Sequence, residues 1–190
     1  GRRVFIGSYC GEPQHLVRGL AEAARRLTDL EIIRLMSRET TSLSLIADRT
    51  RDQSMNIHSI YLGSAKSREL AKRKRFFTPV SMSEVPRLFM SRRIPIDVAL
   101  IQVSPPDDFG WMSMGVSVDV SLTAAISADL VIAQVNSRMP MVLGQSFIHV
   151  NDVNAIVEYD EDIMSISPLS MSEEANLIGR HIARLIEDGS

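Results

Sequence analysis

The chain has 190 residues, 45% hydrophobic and 23% charged, a balance that excludes a disordered or fibrous protein and suits a single packed core. Its formal net charge of -2 offers no broad attraction to phosphate backbones, so nucleic acid is not an expected partner. One cysteine, Cys10, excludes an internal disulfide, and no apolar run approaches the roughly 20 residues of a membrane-spanning helix. There is no signal-like apolar segment either, and the expected location is the cytoplasm.

Val4-Phe5-Ile6 is a short apolar run ended by Gly7-Ser8, and from Pro13 onward Leu16, Leu20, Ala23, Ala24 and Leu27 recur at helical spacing. This predicts strand, loop and helix. Leu30 to Met36 and Ser59 to Gly63 read as the next strands, with a polar loop between them that holds a short edge strand near Leu43 to Ile46. Ser64 to Arg75 predicts a helix whose basic run from Lys66 is a solvated face. Phe76 to Val80 reads as extended, and Ser83 is placed to cap a short helix with Pro86 in its first turn.

Ile96 to Val103 is a nearly continuous apolar run, the pattern of a parallel strand covered on both faces. Ser104 to Gly110 breaks it, a helix follows from about Ser121 to Ala128, and Leu130 to Val135 reads as a second buried strand. Strands alternating with helices imply an α/β fold, with an open, mostly parallel sheet and helices on both faces. Beyond the loop Asn136 to Gly144, Ser146 to Val150 and Ala155 to Tyr159 are two short strands. Ser172 then opens a last helix with Leu177, Ile178, Ile182, Leu185 and Ile186 on one apolar face and Gly189 as its cap. Composition shows no break, which predicts one domain over 1–190. The start at Gly1 and the stop after a helical pattern are expected of a piece of a longer polypeptide.

Ligands of open α/β sheets bind beyond the carboxyl ends of the strands, which selects three loops. The first holds Gly7 and Gly11 ahead of a helix starting near Pro13, where backbone N–H groups and the helix dipole could hold a phosphate or carboxylate. The second, Ser104 to Gly115, is rich in residues that fix or free the backbone (Pro105, Pro106, Gly110, Gly115), with Ser104, Ser113 and Ser117 as hydroxyl donors. The third runs from Asn136 to Gly144. Asp107 and Asp108 are expected as turn formers. His15, His58, His149 and His181 have no ligand-like spacing, so no metal is expected, and Cys10 reads as a small loop residue rather than a nucleophile.

The string Ile94-Pro95-Ile96-Asp97-Val98-Ala99-Leu100-Ile101-Gln102-Val103-Ser104-Pro105-Pro106-Asp107, followed by Gly110 and Ser113-Met114-Gly115-Val116-Ser117-Val118-Asp119, closely resembles the amino-terminal domain of the acetyl-CoA hydrolase/transferase family. Further agreement comes from Gly11-Glu12-Pro13-Gln14, from Ser81 to Pro86, from Met139-Pro140 with the strand after it, and from Ile178-Gly179-Arg180. The resemblance implies a larger enzyme of two similar α/β halves with coenzyme A, as acyl-CoA substrate rather than resident cofactor, in the cleft between them. It places Gly7, Gly11, Pro13, Ser104, Pro105, Gly110, Gly115, Asn136, Met139, Pro140 and Gly144 on the loops of that cleft. It also implies a catalytic glutamate in the carboxyl-terminal half, outside this chain, a small carboxylate as co-substrate, and a homo-oligomer. No catalytic residue is therefore expected among these 190, and Glu12 is read as a loop residue. Where the family pattern is Met-Pro-Arg-Thr this chain has Met139-Pro140-Met141-Val142, Gln134 and Gln145 replace acidic residues, and the stretch before Phe76 is short and basic. These departures point to altered specificity or to a non-catalytic acyl-CoA-binding module.

Overall fold

The computed structural model describes residues 1–23, 26–27, 29–35, 55–60, 75–165 and 170–189. In chain order its elements are β1 (Arg2–Ile6), α1 (Gln14–Ala23), β2 (Leu30–Arg34), β3 (Met55–Ser59), β4 (Arg75–Phe77), α2 (Val85–Met90), β5 (Ile96–Val103), β6 (Trp111–Ser113), α3 (Ser121–Ser127), β7 (Ala128–Val135), β8 (Phe147–His149), β9 (Ala155–Glu158) and α4 (Glu173–Ala183). Seven strands form one sheet in the order β4-β3-β2-β1-β5-β7-β9, and every pairing in it is parallel. The chain builds outward from β1 through β2 and β3 to β4, then returns to lay β5 on the other side of β1. That reversal puts a topological switch point between β1 and β5.

Alternation along the strands divides the core in two. Val4, Ile6, Ile32, Ile57 and Leu100 face one way and are covered by Val17, Leu16 and Leu20 of α1. Phe5, Ile33, Ala99, Ile101 and Val103 face the other way and pack against Val85 and Phe89 of α2 and Ala124 and Ala125 of α3. Phe5 and Phe89 meet edge to face, with ring centroids 5.8 Å apart. Helices thus lie on both faces, as the alternation of strand and helix predicts.

Several expectations are corrected. The third strand spans Met55–Ser59, earlier than the apolar run from Ser59 to Gly63, because its polar residues are satisfied in place: His58 bonds Glu31 Oε1 at 2.8 Å and Thr78 Oγ1 at 2.6 Å. Ser83 is no N-cap; it sits in a 3-10 turn, Met82–Glu84, that leads straight into α2. Residues 146–150 do not extend the main sheet. Phe147–His149 pairs antiparallel with Trp111–Ser113 in a separate two-stranded sheet, and the latter strand is too short to show a period. Ser172 does cap α4, its Oγ accepting from the Ala175 N–H at 3.2 Å, but the helix ends at Ala183, before Gly189. The predicted edge strand at 43–46 and the helix and basic run of 64–74 lie outside the described residues.

Candidate functional site

The three loops expected to carry chemistry meet at the carboxyl edge of the sheet, on the switch point. The Gly7 N–H donates to Leu100 O at 2.8 Å, joining the start of the β1 loop to β5. Gln102 Nε2 donates to Glu12 O at 3.2 Å, and the Asn136 N–H donates to Val103 O at 3.0 Å. The loops after β1, β5 and β7 are therefore held as one surface rather than as independent turns.

Two glycines make this closeness possible. A Cβ on Gly11 would stand 2.5 Å from Ser117 Cβ, so the first loop presses directly on the segment before α3. That contact is locked by Asp119, which accepts from the Ser8 and Ser121 hydroxyls and from the Ser121 N–H, while Ser117 donates its one hydroxyl proton to Ser8 O at 2.8 Å, with Asp119 Oδ2 as the alternative acceptor at 3.1 Å. Gly115, at φ 56°, would drive a Cβ to 2.3 Å from Met139 Sδ and 2.8 Å from Pro140 O. Buried Met139 is in this way packed against the second loop, and Pro140 borders the same contact.

A chain of side-chain hydrogen bonds runs through the interior of the edge. Asn136 Nδ2 donates to Gln102 Oε1 and to Glu161 O, both at 2.8 Å, and Asn136 Oδ1 accepts from the Arg138 N–H. Glu161 Oε1 accepts from Gln134 Nε2 at 2.7 Å and from the His15 N–H at 3.0 Å, and Arg18 Nη2 reaches Glu161 Oε2 at 2.7 Å. Gln134 Oε1 takes the His15 and Leu16 N–H groups. The His15 ring stacks on Tyr159 at 3.8 Å, with the Arg18 guanidinium over the same Tyr159 ring. At the start of α1, after Pro13, the His15 and Leu16 N–H groups are turned to the protein's own Glu161 and Gln134. The Gly7, Gly11 and Glu12 N–H groups are likewise spent on Leu100, Ser8 and Tyr9 carbonyls.

Glu12 differs from every other acid of the edge. It is 1% exposed; Gln14 Nε2 bonds its Oε1 at 3.0 Å, and Oε2 is the one buried side-chain oxygen or nitrogen among the described residues with no hydrogen-bond partner. Burial pushes its carboxyl up to about 7, against the lowering effects of the Gln14 hydrogen bond and the Arg34 charge.

The remaining predicted residues lie farther out. Ser104 belongs to the β5 exit, its Oγ accepting from the Ser113 N–H at 2.9 Å and donating to Pro105 O at 3.0 Å. Gly110, at φ 86°, lies against His149 in the turn before β6, and Gly144 faces open space. Asp107 is the turn former expected, its Oδ1 accepting from the Phe109 and Trp111 N–H groups. Among the described residues no group of three or more His, Cys, Asp or Glu is disposed to hold a metal. Sequence reasoning missed Gln102, Asp119 and Glu161, and it read Glu12 as an ordinary loop residue. Gln102 and Gln134 did leave a signal: each is a polar residue near the carboxyl end of a buried strand, and the two stand opposite in register.

The sequence is 37% identical to 4-hydroxybutyrate coenzyme A transferase of Clostridium kluyveri over 188 residues, which is 99% of this chain and 43% of that protein. It is 30% identical over its whole length to a succinyl-CoA:acetate/propanoyl-CoA:succinate CoA transferase of Fasciola hepatica, covering 39% of that protein. Among solved structures, RipA from Yersinia pestis is similar with a TM-score of 0.84 at 28% identity, covering all of this chain and 46% of that one. The chain thus spans less than half the length of each of these three proteins. Residues 1–168 match the model of the acetyl-CoA hydrolase/transferase N-terminal domain, and the chain belongs to that family.

Proposed function

We propose that this domain forms one wall of an acyl-CoA cleft in a CoA-transferase or acyl-CoA hydrolase, whose attacking glutamate lies in the carboxyl-terminal part of a longer protein. The observation that carries the reading is the fastening of the loops after β1, β5 and β7 into one surface at the switch point, through Gly7, Glu12, Gln102 and Asn136. The relatives support the chemistry, being named for CoA transfer among 4-hydroxybutyrate, succinate, propanoate, butyrate and acetate.

In this reading the glutamate carboxylate attacks the thioester carbonyl and CoA thiolate leaves, giving a mixed anhydride. The thiolate then attacks the glutamyl carbonyl, which releases the first acid and leaves a glutamyl-CoA thioester. An acceptor carboxylate reverses the sequence, or water hydrolyses the thioester. One difficult exchange becomes two easier ones. Coenzyme A enters as substrate, and the protein works in the cytoplasm as a homo-oligomer without a resident cofactor.

The test is to mix the full-length protein with acetyl-CoA or butyryl-CoA and a panel of small carboxylates, and to separate the CoA esters. Exchange is expected, with a CoA-sized mass adduct on a glutamate beyond residue 190. An adduct within 1–190 overturns the assignment. CoA binding without exchange or hydrolysis favours the second reading, a non-catalytic acyl-CoA-binding module, which Met141 and Val142 in place of an Arg-Thr pair would suit.

A further inference from the structure

Between buried Met139 and buried Ser146 the loop after β7 runs exposed, and its tip is apolar: Met141 is 49% exposed, Val142 39% and Leu143 85%. The main chain beneath these side chains is fixed. The Val142 N–H donates to Ser113 Oγ at 3.1 Å, and Val142 O accepts from Ser146 Oγ. Ser113 donates its own N–H to Ser104 Oγ at 2.9 Å, and its carbonyl accepts from the Ser104 N–H at 2.8 Å. The tip is thereby tied to the exit of β5, at the carboxyl edge where ligands of such sheets bind. No residue from Met139 to Ser146 carries a charge, and Arg138, next to them in sequence, is ion-paired with Asp162.

We propose that Met141, Val142 and Leu143 form the acyl subsite of the cleft and select thioesters of unbranched aliphatic monocarboxylic acids, from butyryl upward, over acetyl and dicarboxylic ones. The inference rests on the cleft assignment made above and adds the substrate class to it. Adjacent exposed apolar side chains mark a binding surface. Three of them supply only a fraction of the about 800 Å² that each partner contributes to a standard protein interface, and their scale is that of a short hydrocarbon chain. An aliphatic tail laid across the tip takes its own methylenes and these side chains out of water together. A fully buried methylene is worth about 0.8 kcal/mol, or about fourfold in kcat/KM. The tip covers one side of the tail, so about twofold per methylene is the expected slope. A terminal carboxylate, as in a succinyl group, would lose water against a surface that offers no cation. The tip touches only the part of the acyl group that does not react.

The experiment measures kcat/KM of the full-length protein for acetyl-, butyryl-, hexanoyl- and succinyl-CoA, with propionate as common acceptor. Wild type is compared with the triple variant Met141→Gln, Val142→Thr, Leu143→Gln, whose changes lie at exposed positions and keep side-chain size. Acetyl and hexanoyl differ by four methylenes, so wild type is expected to prefer hexanoyl-CoA by about 16-fold, and butyryl-CoA over succinyl-CoA by about tenfold or more. The triple variant is expected to lower the hexanoyl-to-acetyl ratio at least about fourfold. A wild-type ratio below about fourfold overturns the proposal, as does a triple variant that changes the ratio by less than that. A lowered unfolding midpoint with an unchanged ratio also overturns it, because the tip is then covered by the rest of the polypeptide. If wild type neither transfers nor hydrolyses any acyl-CoA, the enzyme assignment has failed, and calorimetry with hexanoyl- and acetyl-CoA decides the subsite. Hexanoyl-CoA bound about fourfold or more tighter, with that preference lost in the triple variant, supports it; any other result overturns it.

Discussion

Asn136 donates its side-chain amide to Gln102 Oε1 at 2.8 Å, a contact between residues 34 apart in sequence. Both side chains are buried, and each also bonds a second loop, Gln102 the Glu12 carbonyl and Asn136 the Glu161 carbonyl. The pair is consequently the joint at which the loops after β1, β7 and β9 are referred to β5.

Asn136→Ala leaves the Gln102 carbonyl and the Glu161 carbonyl short of a donor in a buried setting. The expected loss is about 1–3 kcal/mol of stability, the cost of unsatisfied buried groups. Urea unfolding measures it, and a double-mutant cycle with Gln102→Met should give a coupling of at least about 0.5 kcal/mol. Strict additivity of the two losses would mean that the joint carries no energy of its own.

Gly115→Ala tests the seating of the second loop on the third. The new methyl would collide with Met139 and with the Pro140 carbonyl, at a φ of 56° that costs an L-residue about 1–2 kcal/mol before any collision. A destabilisation of about 2 kcal/mol or more is expected. Met139→Ala should relieve part of the collision but not the backbone strain, so the double variant is expected to remain less stable than Met139→Ala alone.

The parts of this fold legible in sequence are those where burial is uniform along an element. Ile96 to Val103 reads as a strand because both its faces are covered, and α1 reads as a helix because one stripe, Leu16, Val17 and Leu20, meets the sheet. Where polar residues are satisfied by distant partners, the pattern misleads. Asn56 and His58 make β3 look like loop, since nothing local announces that Glu31 and Thr78 will receive His58. The site follows the same rule. Its loops could be located from strand ends and glycines, but the filling of the α1 donors by Glu161, a residue 146 positions from His15, depends on topology. The burial of Glu12 likewise arises from elements that converge only after folding.

Glu12 also makes stability depend on pH. Its carboxyl has the ordinary value of 4.5 in the unfolded chain and about 7 in the folded one, so between these values the folded state binds the extra proton. Stability therefore falls as pH rises from about 4.5 through 7 and levels off above, by on the order of 3 kcal/mol for this group. Glu12→Gln abolishes the effect. The variant should match wild type near pH 4.5 and exceed it by on the order of 3 kcal/mol at pH 8. Urea unfolding at the two pH values gives the comparison, and parallel stability curves would show that the carboxyl is not held neutral.

The last helix should govern the solution behaviour of the chain. Leu177, Ile178, Ile182, Leu185 and Ile186 are all exposed, Leu185 to 83%, and none of them belongs to either core cluster among the described residues. Three large apolar side chains on α4 and two in the turns just beyond its end form a patch of the kind that soluble monomers cover. The chain is therefore expected to self-associate at micromolar concentration, seen as a rising sedimentation coefficient. Leu177→Glu with Ile182→Glu should return it to a monomer. Because α4 contributes nothing to the cores, the same pair should leave the unfolding midpoint within about 2 °C of wild type, as surface changes of a few tenths of a kcal/mol do. A sharp monomer of the unaltered chain at high concentration would show that the apolar face of α4 drives no association.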